Sequence, residues 1–531
     1  MSAKMILLNN YYFYRQIWIM KKVLFLLLST IFLIQCKNKQ EEVTKEANLG
    51  EIEFVVSGSE DAVKDFHEGL LLLHSFEFDD AAEKFVKAQE KDPNCVMAYW
   101  GEAMSYNHPL WRERYTEDGL AALEKMGTTK EERIAKAPTE MEREFLEAVE
   151  ILYEEGDKKD LDVAYKEKME SLHKKYPKHH EVSAFYALSL LGASDGRTKD
   201  DGYEIGAKIA QSIIDENPNH PGALHYLIHS YDDPDHATMA LEAAHSYSKV
   251  APDAAHALHM PSHIFVALGM WDEVINSNIA SYEASLTRMK AKDLDNDAIG
   301  YHSFKWLMYG YLQKGEFEKA KEMVNLMKTY SDGKPSSKAR AHLIMMKGAY
   351  LTETNDWEDP IADIEVDLEK LNLLVKGVEV YTHGIAGYYD SNPEGIITAI
   401  DKLKEMIDEA EKKMVIGEAK MCSGISRYQQ PPSKNEVNSL KVMRFELAAA
   451  KALHEKDDIA AEELMKTATE LEETTTYMYG PPNIVKPSFE MYGEWLLEQG
   501  RKEEAAVQFE KVLKRAPKRL IAEKGLGVAN A

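Results

Sequence analysis

Cysteine is scarce in this chain. Cys36, Cys95 and Cys422 are its only three in 531 residues, at spacings that fit neither a disulfide framework, a zinc knuckle nor a CxxC redox pair. Positive charge is in short supply too: 64 Lys and Arg stand against 90 Asp and Glu, a formal net charge of −26. Such a field repels phosphate backbones, so no nucleic-acid partner is expected. No Gly-rich phosphate loop follows a strand pattern and no HExxH pair occurs, which leaves nucleotide-dependent and zincin-type chemistry without support. What the chain does have is 44% hydrophobic and 29% charged residues, enough to fill a large core without the profile of a multi-pass membrane protein or a disordered chain.

The first residues read as an address. Met20-Lys21-Lys22 precedes an apolar run from Val23 to Ile34, then Gln35-Cys36 and a solvated stretch rich in Lys and Glu. The run has the order of a secretory signal and is short for a bilayer span. Leu33-Ile34-Gln35-Cys36 resembles the lipobox of bacterial lipoproteins, with Gln35 where a small residue is usual. That resemblance implies lipidation at Cys36, membrane attachment through the lipid, and a place in a bacterial cell envelope. The expected organisation is an upstream extension and signal over 1–35, a charged tether over 36–59, and one folded region over 60–531.

Within that region the sequence repeats itself. Gly69, Ala81, Phe85, Ala88 and Pro93 recur as a pattern in Gly493, Ala505, Phe509, Val512 and Pro517, where Phe489, Tyr492, Leu496 and Gly500 complete it. Pro218 and Pro252 lie 34 apart. Spacing of this kind resembles the tetratricopeptide repeat (TPR), a helix-turn-helix unit in which small residues let two helices approach and proline ends the second. The resemblance implies an all-α fold, a right-handed α-solenoid with a concave binding surface, as in long bacterial TPR proteins without assigned activity. Three segments interrupt the period: Asn107 to Gly127, where Pro109 stops a helix, Gly192 to Gly202, and Cys422 to Asn435.

Histidines stand in register with the repeat. His225 and His229 are followed 34 residues later by His259 and His263. By the TPR resemblance these are groove-facing positions 5 and 9, and His256 and His302 fall at groove position 2. His74 and His108, also 34 apart, fall at position 13. Pro261 should kink the helix that carries the second pair. Trp100, Glu490 and Glu494 occupy groove positions as well. Three readings of the stripe are open: a groove with partly exposed histidines that holds a peptide, protein segment or small ligand; a metal site for Zn or Cu built from the His225/His229/His259/His263 quartet; and a satisfied polar core. The groove reading needs no cofactor and makes the protein a binding module rather than an enzyme. Asp232, Asp233 and Asp235 follow the first pair, as orienting acceptors or as a turn before the next helix. If the superhelix completes a turn, Glu490 and Glu494 would face the histidines.

Overall fold

The structure, a computed structural model, describes residues 47–194, 202–414, 432–475 and 480–531. Cys36 and the signal-like segment lie outside these residues, as do Cys422 and most of the interruptions at 192–202 and 422–435. Among the described residues, no helix is long and apolar enough to cross a membrane.

The repeat rule builds the fold directly. Helix Glu60–His74 pairs with Phe78–Lys91, and helix Ser488–Glu498 with Lys502–Arg515. In the first pair the Phe85 ring fills the space that a Cβ on Gly69 would enter at 2.9 Å and one on Gly101 at 2.3 Å. Phe509 sits likewise between Gly493, at 2.9 Å, and Gly525, at 2.3 Å. One ring wedged between two glycines therefore locks each hairpin to the next. Successive antiparallel helix pairs, from Glu140–Leu152 with Lys158–Lys175 to Lys434–His454 with Asp458–Glu473, continue the stack between these ends. Among the described residues the chain folds as an all-α solenoid of TPR-like helix pairs with almost no strand. The exception follows from Pro109: helix Val96–Ser105 ends, and Asn107–His108 pairs antiparallel with Glu113–Arg114 before short helices resume.

Two departures from the expected architecture govern the site. The segment expected as tether is an integral part of the fold from Asn48 onward. Leu49, Phe54 and Val56 are buried, Phe54 packs on Phe66 and Phe145, and the Asn48 and Ser57 amides donate to Asp253 and Glu142. Alternating apolar residues outweigh the acidic ones between them. The concave surface, moreover, is filled by the chain itself. Phe76, in the turn after the first helix, packs edge-to-face against His225 with ring centroids 4.3 Å apart. From the other end, Trp271 Nε1 donates to the Lys518 carbonyl at 2.9 Å, and Gly480 lies against Trp306.

Candidate metal centre

Two neighbouring repeats present the histidines. Helix Pro221–Ser230 carries His225 and His229, capped at its start by His220, whose Nδ1 accepts the Ala223 amide at 3.1 Å. The next repeat is broken as Pro261 requires, into Ala255–His259 and Pro261–Ala267, and it carries His256, His259 and His263. Helix Tyr301–Gln313 supplies His302.

The quartet does not form one centre. It divides, and each pair recruits one position-2 histidine from the following helix: His225, His229 and His256 converge, and so do His259, His263 and His302, each set with one ring nitrogen per residue within 4.8 Å of the others. The two triads adjoin, with His229 and His263 ring centroids 5.9 Å apart and those of His256 and His259 6.2 Å apart. The partial exposure expected of a groove is absent at the four pair histidines, none of which exceeds 3%. Only His256 and His302 are intermediate.

Hydrogen bonding separates a metal site from a satisfied polar core. Asn278 Nδ2 donates to the Val274 carbonyl at 2.7 Å, which turns its Oδ1 toward His259 Nδ1, also at 2.7 Å. His259 therefore donates through Nδ1 and keeps a lone pair on Nε2, a buried atom with no partner. His263 Nδ1 likewise lies 2.5 Å from Asp232 Oδ2, leaving Nε2 buried and unpartnered. His225 Nδ1 donates to the His74 carbonyl at 2.7 Å, and its Nε2 stands 3.2 Å from His256 Nε2. Both ring nitrogens of His229 and of His302 are buried without a partner. Rings held through Nδ1 with Nε2 free have the arrangement of metal ligands with their supporting acceptors. Asp232 thus supports the opposite pair from the one it follows in sequence, while Asp233 pairs with His236 at 2.7 Å.

Burial disfavours the charged form of His225, His229, His256, His259 and His302. It lowers His225 and His259 to about 3, and holds His229, His256 and His302 well below the usual imidazole range, with the neighbouring histidines adding to the effect. Neutral imidazole is the ligating form. Aromatic walls complete each triad. Phe76, at φ 55, covers the first. Trp306 lies 4.9 Å and 4.5 Å, ring to ring, from His259 and His263 of the second. A cavity of about 330 Å³, lined by Phe76, Trp111, Glu113, Arg288 and others, reaches His256.

The remaining site residues lie elsewhere. Trp100, expected in the groove, is fully buried in the core against Phe66, Phe145 and Phe185, which come from helices Glu60–His74, Glu140–Leu152 and His180–Ala193. Glu490 and Glu494 do not face the histidines. Glu490 is buried with both oxygens on Arg519, at 2.7 and 3.1 Å, and Glu494 pairs with Lys486 at 2.7 Å. Arg519 also bonds Glu353 and Tyr309, so the stripe at this end is consumed by an internal ion-pair cluster. His108 stacks on Phe78 with centroids 3.8 Å apart, and His74 belongs to a separate cluster with Glu181 and His220. Sequence spacing had no means of marking Asn278, Phe76 or Trp306. Position-2 histidines were visible, but nothing in the spacing assigned them one to each pair.

No protein-family model matches this chain, and no curated protein matches it. Solved structures similar to it include Cut9 in the APC/C Cut9-Hcn1 hetero-tetramer, at 12% identity over 91% of this chain and 79% of that one, TM-score 0.34. Yeast Tom70 aligns at 12% identity over 89% of each chain, TM-score 0.33. Human IFIT1, crystallised with m7Gppp-AAAA, aligns at 13% identity over 85% and 84%, TM-score 0.36. Superpositions this loose carry nothing about a ligand or partner.

Proposed function

We propose that this TPR solenoid is a metal-binding protein that holds Zn or Cu in two adjoining three-histidine sites. The observation that carries this reading is the orphaned Nε2 atoms of His229, His259, His263 and His302, beside the His225–His256 Nε2 pair: buried polar nitrogens without partners are costly, and a metal ion is the partner that satisfies several at once. All-imidazole donors suit Zn and Cu, and three protein ligands leave a coordination position open in each triad. The peptide-groove reading is less favoured at this stripe, since the four pair histidines are almost wholly buried and Phe76 and Trp306 pack against them.

Metal analysis of the protein, purified without a polyhistidine tag, tests the proposal. The expected content is about two ions per chain, falling by one in His229→Ala and by one in His263→Ala. No stoichiometric Zn or Cu, before or after incubation with either ion, overturns it.

We further propose an envelope location through a lipid on Cys36, supported by the signal-like segment alone. Fatty-acid label should be lost in Cys36→Ser; a wild-type protein that takes no label refutes the anchor.

A further inference from the structure

Lys305 is the buried charge that neither the fold nor the triads account for. It lies one turn beyond His302 on helix Tyr301–Gln313, on the same face of the helix, and is 6% exposed. It occupies the position in its helix, three residues after a position-2 histidine, that His259 occupies after His256. A repeat position that twice holds a ligand therefore holds a cation in the third helix. The other deeply buried cations are all paired: Arg519 with Glu490 and Glu353, Lys347 with Glu379, Arg133 with Glu150. Among the described residues, Lys305 has no hydrogen bond and no ion pair. Burial lowers its ammonium to about 8, and its charge in turn acts on His259, His302 and His342.

The charge balance of the site gives this cation a purpose. All six triad ligands are imidazoles, which bring no negative charge, and the carboxylate in contact with the second triad, Asp232, is bonded to His263. A divalent ion there adds two positive charges to a buried site that already holds an ammonium. Uncompensated charge of one sign is strongly disfavoured at such burial. The open coordination position is where compensation can come from.

Resting on the metal reading, we infer that the second triad takes a small anionic ligand, a carboxylate or oxyanion of the substrate or a simple inorganic anion. One atom of the anion fills the open metal position beside His259, His263 and His302, while the Lys305 ammonium holds its charge. Lys305 is then a binding residue that selects anions, outside the metal's own ligand set.

Azide tests this, because it is small, anionic and produces a charge-transfer band on Cu(II). The full chain is loaded with Cu(II), its copper content is counted, and azide is titrated against wild type, Lys305→Met and Lys305→Arg. Neutral imidazole serves as a control probe. The expected result is unchanged copper in all three proteins, azide affinity at least about tenfold weaker in Lys305→Met and largely restored in Lys305→Arg, and imidazole affinity unaffected by either change. Equal azide affinity in wild type and Lys305→Met overturns the inference and leaves the metal reading standing. So does equal weakening of azide and imidazole, which would mark Lys305 as structural. A wild-type protein that takes up no copper or zinc removes both. Should Lys305→Met fail to fold, Lys305→Gln takes the same test with the same deciding outcomes.

Discussion

Two kinds of histidine cluster lie side by side in this protein, and their difference is instructive. In one, Glu181 receives His74 Nε2 at 2.7 Å and His220 Nε2 at 3.1 Å, Tyr226 hydroxyl meets His74 Nδ1 at 2.8 Å, and the Ala223 amide donates to His220 Nδ1. Every ring nitrogen has a partner. Burial alone would raise the Glu181 carboxyl, but His74 and His220 together hold it below the usual carboxylate range. In the triads the four pair histidines are as deeply buried, yet the Nε2 atoms of His229, His259, His263 and His302 have no partner and no carboxylate lies among the converging nitrogens. Three titratable groups within ligand distance are thus insufficient grounds for a metal site. What marks one is lone pairs left open while the opposite nitrogens are fixed.

That contrast can be broken by experiment, and the largest effect should come from the closed cluster. Glu181→Leu would strand the His74 and His220 N–H donors in the core at about 1–3 kcal/mol each, visible as a lower urea midpoint with metal content unchanged. A loss of metal in that variant would merge the two clusters into one system. Next in size is acid. Because His225 and His259 are lowered to about 3 from an unfolded value near 6.5, the stability they contribute is complete above pH 6.5 and drains away as pH falls toward 3. In the metal-free protein each should cost up to about 1.4 kcal/mol per pH unit in that window. Metal-loaded protein should resist this decline until protons displace the ion, and identical urea midpoints with and without metal at pH 5.5 would contradict the site.

Opposite signs are expected from the triads themselves. His229→Leu removes two unsatisfied nitrogens and should stabilise the metal-free protein by about 1–3 kcal/mol while it abolishes the first site. Destabilisation of the metal-free form would show that His229 has a structural partner after all. The smallest effect concerns a wall. A Cβ on Gly480, at φ +86, would fall 2.1 Å from Trp306, so Gly480→Ala should cost about 1–3 kcal/mol and weaken the second triad for metal more than the first. Equal weakening of both would mean that Trp306 does not act on one triad alone.

Much of this architecture could be read from spacing. Gly69, Phe85, Gly493 and Phe509 declare the hairpins because helix approach needs small residues at fixed offsets, and Pro261 announces its break because it lacks an amide proton. The 34-residue offset of His225/His229 from His259/His263 located the centre for the same reason. What spacing could not convey is how tightly the superhelix winds. Partly exposed histidines were expected because a single repeat says nothing about what lies across the groove. Phe76 reaches the first triad through a contact between distant repeats, as Arg519 reaches Tyr309, whereas Trp306 stands one turn beyond His302 on the same helix. Trp100 went astray likewise: its position would be open in a loose array, but here the rings of Phe145 and Phe185 from later helices close over it.

The turn at Phe76 has a consequence for the order of events in the life of the chain. A linear solenoid forms by growth from any hairpin, each unit needing only its neighbour. Here the triads lie between residues 225 and 302, but they are covered by an aromatic ring from residue 76 and, at Trp306, by Gly480, while a cavity reaches His256. A ribosome delivers the ligands long before the last of these covers. On the metal reading, an ion would meet the six histidines before the C-terminal hairpins complete the cover of the second triad. Release from the second triad would then require that cover to lift, so an ion there should exchange more slowly than one in the first triad, which the cavity at His256 reaches.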